Sequence, residues 1–183
     1  MTAAINKKIS SVQKPQDEKS DLYRALYEAS MDAIMTLEPP VWNFTTGNPA
    51  AVAMFKVKDE KQLATLKPAE LSPTKQPDGE LSSIKAKRLI PQAVKEGHLV
   101  FDWTHRRITG EDFPTRVILT KVKLGNREFL QATVRDMSEF KKVEQKLEER
   151  AVELEKMNKL MIGRELKMIE LKEQIKKLTG KKV

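Results

Sequence analysis

The chain has 183 residues, 39% of them hydrophobic and 33% charged, with 34 Lys and Arg against 26 Asp and Glu and no cysteine. That length allows one ordinary domain plus an extension, and the lack of cysteine excludes a disulfide framework, a thiolate metal site and a cysteine nucleophile. No apolar run approaches the roughly 20 residues of a membrane helix and no signal peptide opens the chain, so a cytoplasmic protein is expected; the net charge of +8 is interspersed with acid outside the two tails and reads as a solvated surface, with nucleic acid an unlikely partner.

Residues 1–19 mix Lys, Gln, Ser and Pro without a period and are expected to be a disordered tail. From Ser20 or Asp21, Leu22, Tyr23, Ala25, Leu26 and Ala29 follow helical spacing, which predicts a short amphipathic helix whose apolar face has to dock somewhere. Strands are predicted over 33–37 and 41–45, bounded by Glu38, Pro39, Pro40 and Gly47 and joined as a hairpin. Asn48 has the side chain of a helix cap and Pro49 suits a first turn, so Ala50, Ala51, Met54 and Phe55 read as a short helix lying over the sheet. Residues 59–66 and 68–71 look like further helical pieces, and prolines 68, 73 and 77 make the chain between them and the next element irregular.

Asp78 and Gly79 mark a turn before a longer helix over 80–96, which sets Leu81, Ile84, Ala86, Leu89, Ile90 and Val94 largely on one side and is expected to bend or break at Pro91. Three apolar runs follow, over 99–108, 113–122 and 129–134, separated by Thr109 and Gly110 and by Gly125 and Asn126. They read as an antiparallel meander. At Arg135, Asp136, Met137 and Ser138 the hydrophobic period changes from two to about 3.6, and Asp136 or Ser138 can cap the helix that begins there.

From there the pattern is heptad. Phe140, Leu147, Leu154, Met161, Met168 and Ile175 recur at sevens, and Val143, Met157, Leu171 and Leu178 fill the other seam position, where Arg150 and Arg164 break the series. The seam predicts a coiled coil over 137–179 and a homodimer, with 180–183 a basic tail. Leu160, Ile162, Leu166 and Ile169 lie off the seam, and Gly163 is the weak point for helix propensity.

Trp103, His105, Arg106 and Arg107 before Gly110, with Asp136, Met137 and Ser138 where the family shows Asp, an aliphatic residue and Thr, resemble the end of a PAS domain of the S-box type. The run 26–34 and the set Asn48, Ala50, Ala51 and Phe55 resemble its front, so the likeness covers roughly 22–146. It implies an α+β PAS fold over 20–136: a five-stranded antiparallel sheet with short helices on one face, followed by the long C-terminal helix. It also implies that the leading helix packs on the outer face of the sheet or against a partner subunit.

The same resemblance frames the chemistry. Flavin-binding light sensors of this family use a reactive cysteine, and the chain has none. Haem-binding members commonly place the proximal histidine on the helix corresponding to 80–96, and sensor kinases a phosphoacceptor histidine on a later helix. The two histidines here are His98 and His105, at neither place, and no glycine-rich nucleotide site follows, so no enzyme is expected and the cofactor is left open. His98 reads as a surface or capping residue. His105 alternates with Trp103 and Phe101 on one strand face and reads as a hydrogen-bonded structural residue.

A small pocket is conceivable among Met54, Phe55, Leu66, Ile84, Ile90, Val94, Trp103, His105, Val117, Leu119, Ala132 and Val134, although side chains of this kind more often fill a core. Arg106, Arg107, Arg116 and Lys121 read as the wet edge of the sheet. The leading functional reading is a cytoplasmic PAS module that dimerises through its last helix and relays a change from the sheet, across 135–138, to a partner or output domain. The alternatives are a fragment or non-catalytic relative of a sensor histidine kinase and, more remotely, a nucleic-acid-binding regulator using the basic C-terminus.

Overall fold

The computed structural model describes residues 15–180, which form two compact units parted between Ser138 and Glu139. In the first unit the strands are β1 (Ala33–Glu38), β2 (Asn43–Gly47), β3 (His98–Arg106), β4 (Asp112–Leu124) and β5 (Arg127–Asp136). They make one antiparallel sheet in the order β2-β1-β5-β4-β3. The helices are α1 (Pro15–Ala29), α2 (Pro49–Phe55), α3 (Glu60–Thr65) and α4 (Ser82–Glu96).

The period-two alternation of the strands decides the layering. Val117 pairs with Val134, and Leu119, Ala132 and Met35 stand in one row across β4, β5 and β1, all buried. Ala51 and Phe55 of α2, Leu63 of α3 and Leu89 and Ala93 of α4 join the same core, so these helices cover one face of the sheet. Each large apolar side chain buried in this way contributes roughly 1.5–3 kcal/mol relative to exposure. The opposite face carries Val100 and Ile118, exposed, and the ion pairs Arg116–Asp102 and Arg135–Asp32.

Local chemistry fixes the helix ends. Asn48 accepts from Ala51 N at 2.9 Å to cap α2, and Asp59 accepts from Gln62 N at 2.8 Å to cap α3. Gly97 ends α4 in the left-handed conformation that glycine adopts freely, with φ +86. Gly47 is required by space: a Cβ there would lie 2.2 Å from Leu63 Cδ2.

Several expectations are corrected. α1 begins at Pro15, so residues 15–19 belong to the helix and not to a tail, and residues 1–14 and 181–183 of the two expected tails lie outside the described residues. β2 starts at Asn43 because the preceding turn takes in Val41 and Trp42: Trp42 adopts a left-handed conformation and donates its N–H to Glu38 O at 2.9 Å. Residues 68–71 form a turn, with Ser72 Oγ donating to Pro68 O, and not a helical piece. α4 continues through Pro91 without the break that is one of the two outcomes expected there, although proline cannot donate to the carbonyl one turn back. Leu22, Tyr23 and Leu26 of α1 are 56%, 59% and 61% exposed, so that apolar stripe is left largely open among the described residues.

The second unit is helical. α5 (Ser138–Thr179) has 42 residues and spans about 63 Å at 1.5 Å per residue. Its seam residues are all exposed in the single chain, from 42% at Leu171 to 86% at Leu178.

Candidate functional site

The turn between β3 and β4 and the end of β5 meet in the first unit. Arg107 follows the last residue of β3, and its backbone N–H donates to Glu111 O at 2.9 Å, closing the turn. Its side chain is largely buried and spreads its donors in a fork. Nη1 donates to the Met54 carbonyl of α2, Nε to Glu111 Oε2 at 3.1 Å and Nη2 to Asp136 Oδ2 at 3.0 Å. The guanidinium also lies over the Phe113 ring, 3.9 Å from its centroid. Asp136 uses its other oxygen, Oδ1, to accept from Ser138 N at 2.8 Å, the capping bond at the start of α5. One carboxylate thus joins the β3–β4 turn to a helix start.

Burial pushes the Asp136 carboxyl up, but the hydrogen bonds from Ser138 and Arg107 outweigh it, and the net shift is below the ordinary carboxylate value. Next to it, Met137 N donates to Pro114 O at 2.9 Å. Arg135 makes a two-point pair with Asp32, at 2.9 and 2.6 Å, tying the end of β5 to the residue just before β1. Arg135, Asp136, Met137 and Ser138 are therefore brought together with Arg107, Met54 and Asp32. Sequence alone groups Arg107 with the wet edge of the sheet; Arg106, Arg116 and Lys121 do pair there with Asp112, Asp102 and Glu128, but Arg107 turns inward. The signal that separates it from its neighbour is weak: a second arginine beyond the strand, directly before a tight turn.

Asn48 is the other polar hub. It is wholly buried, and all four of its hydrogen-bonding positions are used: Oδ1 accepts from Ile34 N and Ala51 N, and Nδ2 donates to Tyr27 O and Asp32 O. It fastens the end of α1, the start of β1 and the start of α2 at one point.

A cavity of about 60 Å³ lies between the sheet and α4. Of the residues expected to line it, Ile90, Trp103, His105, Val117, Leu119, Ala132 and Val134 do so. Phe55 is buried and packs edge-on to His105 with centroids 5.2 Å apart, while Leu66 and Val94 pack on the core, outside the lining. Ile84 is 55% exposed, because α4 turns that side to solvent. Met54 lines a separate surface cleft together with Arg107 and Asp136. The lining that sequence reasoning missed comes chiefly from Met35, Leu37 and Phe44 on the first two strands, with Ser72, Ala86, Leu89 and Phe101.

Polar groups at the cavity wall are satisfied. Trp103 Nε1 donates to Ser72 Oγ at 3.0 Å. Thr115 Oγ1 donates to Trp103 O at 2.8 Å and is left to accept from His105 Nδ1, also at 2.8 Å, which puts the ring hydrogen on Nδ1. Burial lowers the His105 pKa from 6.5 to about 3, so the ring is neutral in the folded protein near pH 7. At about 60 Å³ this cavity is smaller than the roughly 300–1,000 Å³ of pockets that hold organic ligands. Among the described residues no cluster of His, Asp and Glu is placed to hold a metal ion, and no helix is long and apolar enough to cross a membrane.

No protein-family model and no curated sequence matches the chain. Solved structures do. A PAS domain from a two-component sensor histidine kinase is similar with a TM-score of 0.53 at 17% identity, covering 66% of this chain and 98% of that one. The PAS domain of a protein from Colwellia psychrerythraea gives 0.56 at 10% identity, covering 66% and 98%. An RNA-binding light-oxygen-voltage receptor gives 0.58 at 18% identity over 79% of this chain and 40% of the receptor. The chain has the PAS fold, an α+β arrangement of a five-stranded antiparallel sheet and helices, with a long C-terminal helix.

Proposed function

We propose that this chain is a cytoplasmic sensory and signal-transduction module that pairs with a second copy through α5 and relays a conformational bias from the sheet to that helix, and onward to a downstream signalling protein or output domain. The module transmits and does not catalyse. The observation that carries the reading is the divided use of Asp136, one oxygen on Arg107 and the other on the Ser138 amide. A shift of the β3–β4 turn pulls on the same carboxylate that caps α5, so strain in the sheet reaches the helix start through two hydrogen bonds. The similarity to a sensor-kinase PAS domain supports the sensory half of the reading, and the exposed heptad seam supports the pairing.

Hydrogen exchange of Arg107→Ala tests the relay. The Ser138 amide and the first turn of α5 should exchange faster than in the parent, while amides beyond Leu147 keep their rates. Unchanged exchange at the first turn would rule out transmission through Asp136.

A further inference from the structure

We infer that α5 pairs with a second copy running antiparallel to it, in the register where the numbers of facing seam residues add to 318; this rests on the pairing proposed above and adds its direction. In a parallel pair of identical helices symmetry sets every residue opposite its own copy. Arg150 then faces Arg150 and Arg164 faces Arg164 inside the seam, where charge is poorly tolerated. The flanking positions are no better. Glu139 comes opposite Glu144 and Lys167 opposite Lys172, and no flanking pair has opposite charge.

Reversing one helix changes each of these pairings. At a sum of 318, Phe140 lies opposite Leu178, Arg150 opposite Met168 and Arg164 opposite Leu154, so no seam layer holds two arginines. The flanks now pair Glu153 with Lys167 and Glu144 with Lys172, each twice by symmetry, and no like-charged pair remains. Neighbouring antiparallel registers lose this. One heptad shorter, Glu144 meets Glu165 and Lys146 meets Lys167; one heptad longer, no opposite-charge pair forms. The favoured register is also the one that overlaps the whole seam, from Phe140 to Leu178, all of it exposed in the single chain. In the lone helix Lys167 pairs with Glu170 three residues on, an exposed contact that leaves it able to reach across to a second helix.

Because the chain has no cysteine, spin labels go on single introduced thiols in the full-length protein. Lys159→Cys sits at the midpoint of the register, so its two labels are close in either orientation, within about 40 Å given helix diameters of 10–12 Å plus the label arms. Lys177→Cys separates the orientations: the antiparallel pair holds its labels about 54 Å apart at 1.5 Å per residue, and a parallel pair holds them as close as at position 159. Short at 159 and long at 177 is the expected result, and short at both overturns the direction while leaving the dimer. No defined distance at either position overturns the direction and the α5 dimer together. Lys167→Glu gives an independent sign: it puts a second carboxylate opposite Glu153 and should weaken association on the order of tenfold, whereas in a parallel pair the new carboxylate meets Lys172 and strengthens association.

Discussion

Arg107 and Asp136, 29 residues apart in sequence, meet at 3.0 Å, and the same aspartate caps the start of α5. The arginine is the more deeply placed partner, 13% exposed against 31%, and it also holds the Met54 carbonyl and the Phe113 ring. Arg107→Ala removes all of these together and is expected to cost about 1–3 kcal/mol, more than the ~1 kcal/mol of a lost cap in Asp136→Ala. A double-mutant cycle by denaturant unfolding should return a coupling of about 0.5–3 kcal/mol. Because the folded Asp136 carboxyl sits below its unfolded value, this coupling is present in full above the ordinary carboxylate range and fades as pH falls through the folded pKa. A coupling near zero at pH 7 would reduce the pair to a surface contact.

His105 makes the fold sensitive to mild acid. Its pKa is about 3 folded against 6.5 for a free side chain, so between those values the unfolded chain takes up a proton that the folded one refuses. Stability therefore declines as pH falls from 6.5, by up to about 1.4 kcal/mol per unit. The interval from pH 6.5 to 5 isolates the histidine, since carboxylates titrate lower. In His105→Phe the unfolding midpoint should be nearly flat over that interval while the parent's drops. Parallel pH profiles would show that the ring is solvated and titrates normally.

Asn48→Asp probes the buried hub more sharply than Asn48→Ala. The substitution keeps the acceptor for Ile34 N and Ala51 N but turns the amide that faces Tyr27 O and Asp32 O into a second oxygen. Repulsion in a site with no solvent should cost more than about 3 kcal/mol, or force the carboxyl to bind a proton at neutral pH. Thermal unfolding at pH 5 and 8 distinguishes these: the variant should be weaker than the parent at both, and weaker still at pH 8. A variant as stable as the parent would mean that Asn48 is no hub.

Most of the strands, and the switch to a helix at Asp136, are legible in the sequence because alternation and heptad spacing are local signals. Arg107 is not, since what distinguishes it from Arg106 is a partner brought up by strand pairing. The cavity is half legible for a related reason. Residues of β3, β4 and β5 can be placed on one face from their own alternation, but β1 enters between β2 and β5 by sheet order alone, so Met35 and Leu37 have no mark of their own. Ile84 shows the reverse error: at about 100° per residue it lies roughly 120–140° round α4 from Leu89 and Ile90, so it faces solvent when they face the core. α4 stays one helix through Pro91, with Leu89 and Ala93 on either side of it packed on the core.

The account depends above all on α5 as a pairing helix, and sedimentation equilibrium of the parent and of Met161→Asp tests it most directly. Met161 is 60% exposed in the single chain and sits mid-seam, opposite Met157 in the antiparallel register, so an aspartate there harms little but an interface. The parent should sediment at the mass of two chains at micromolar concentration. Met161→Asp should sediment at 20.9 kDa, the mass of one, with the unfolding midpoint of the sheet domain unchanged. A monomeric parent, or a variant that remains dimeric, would contradict the account.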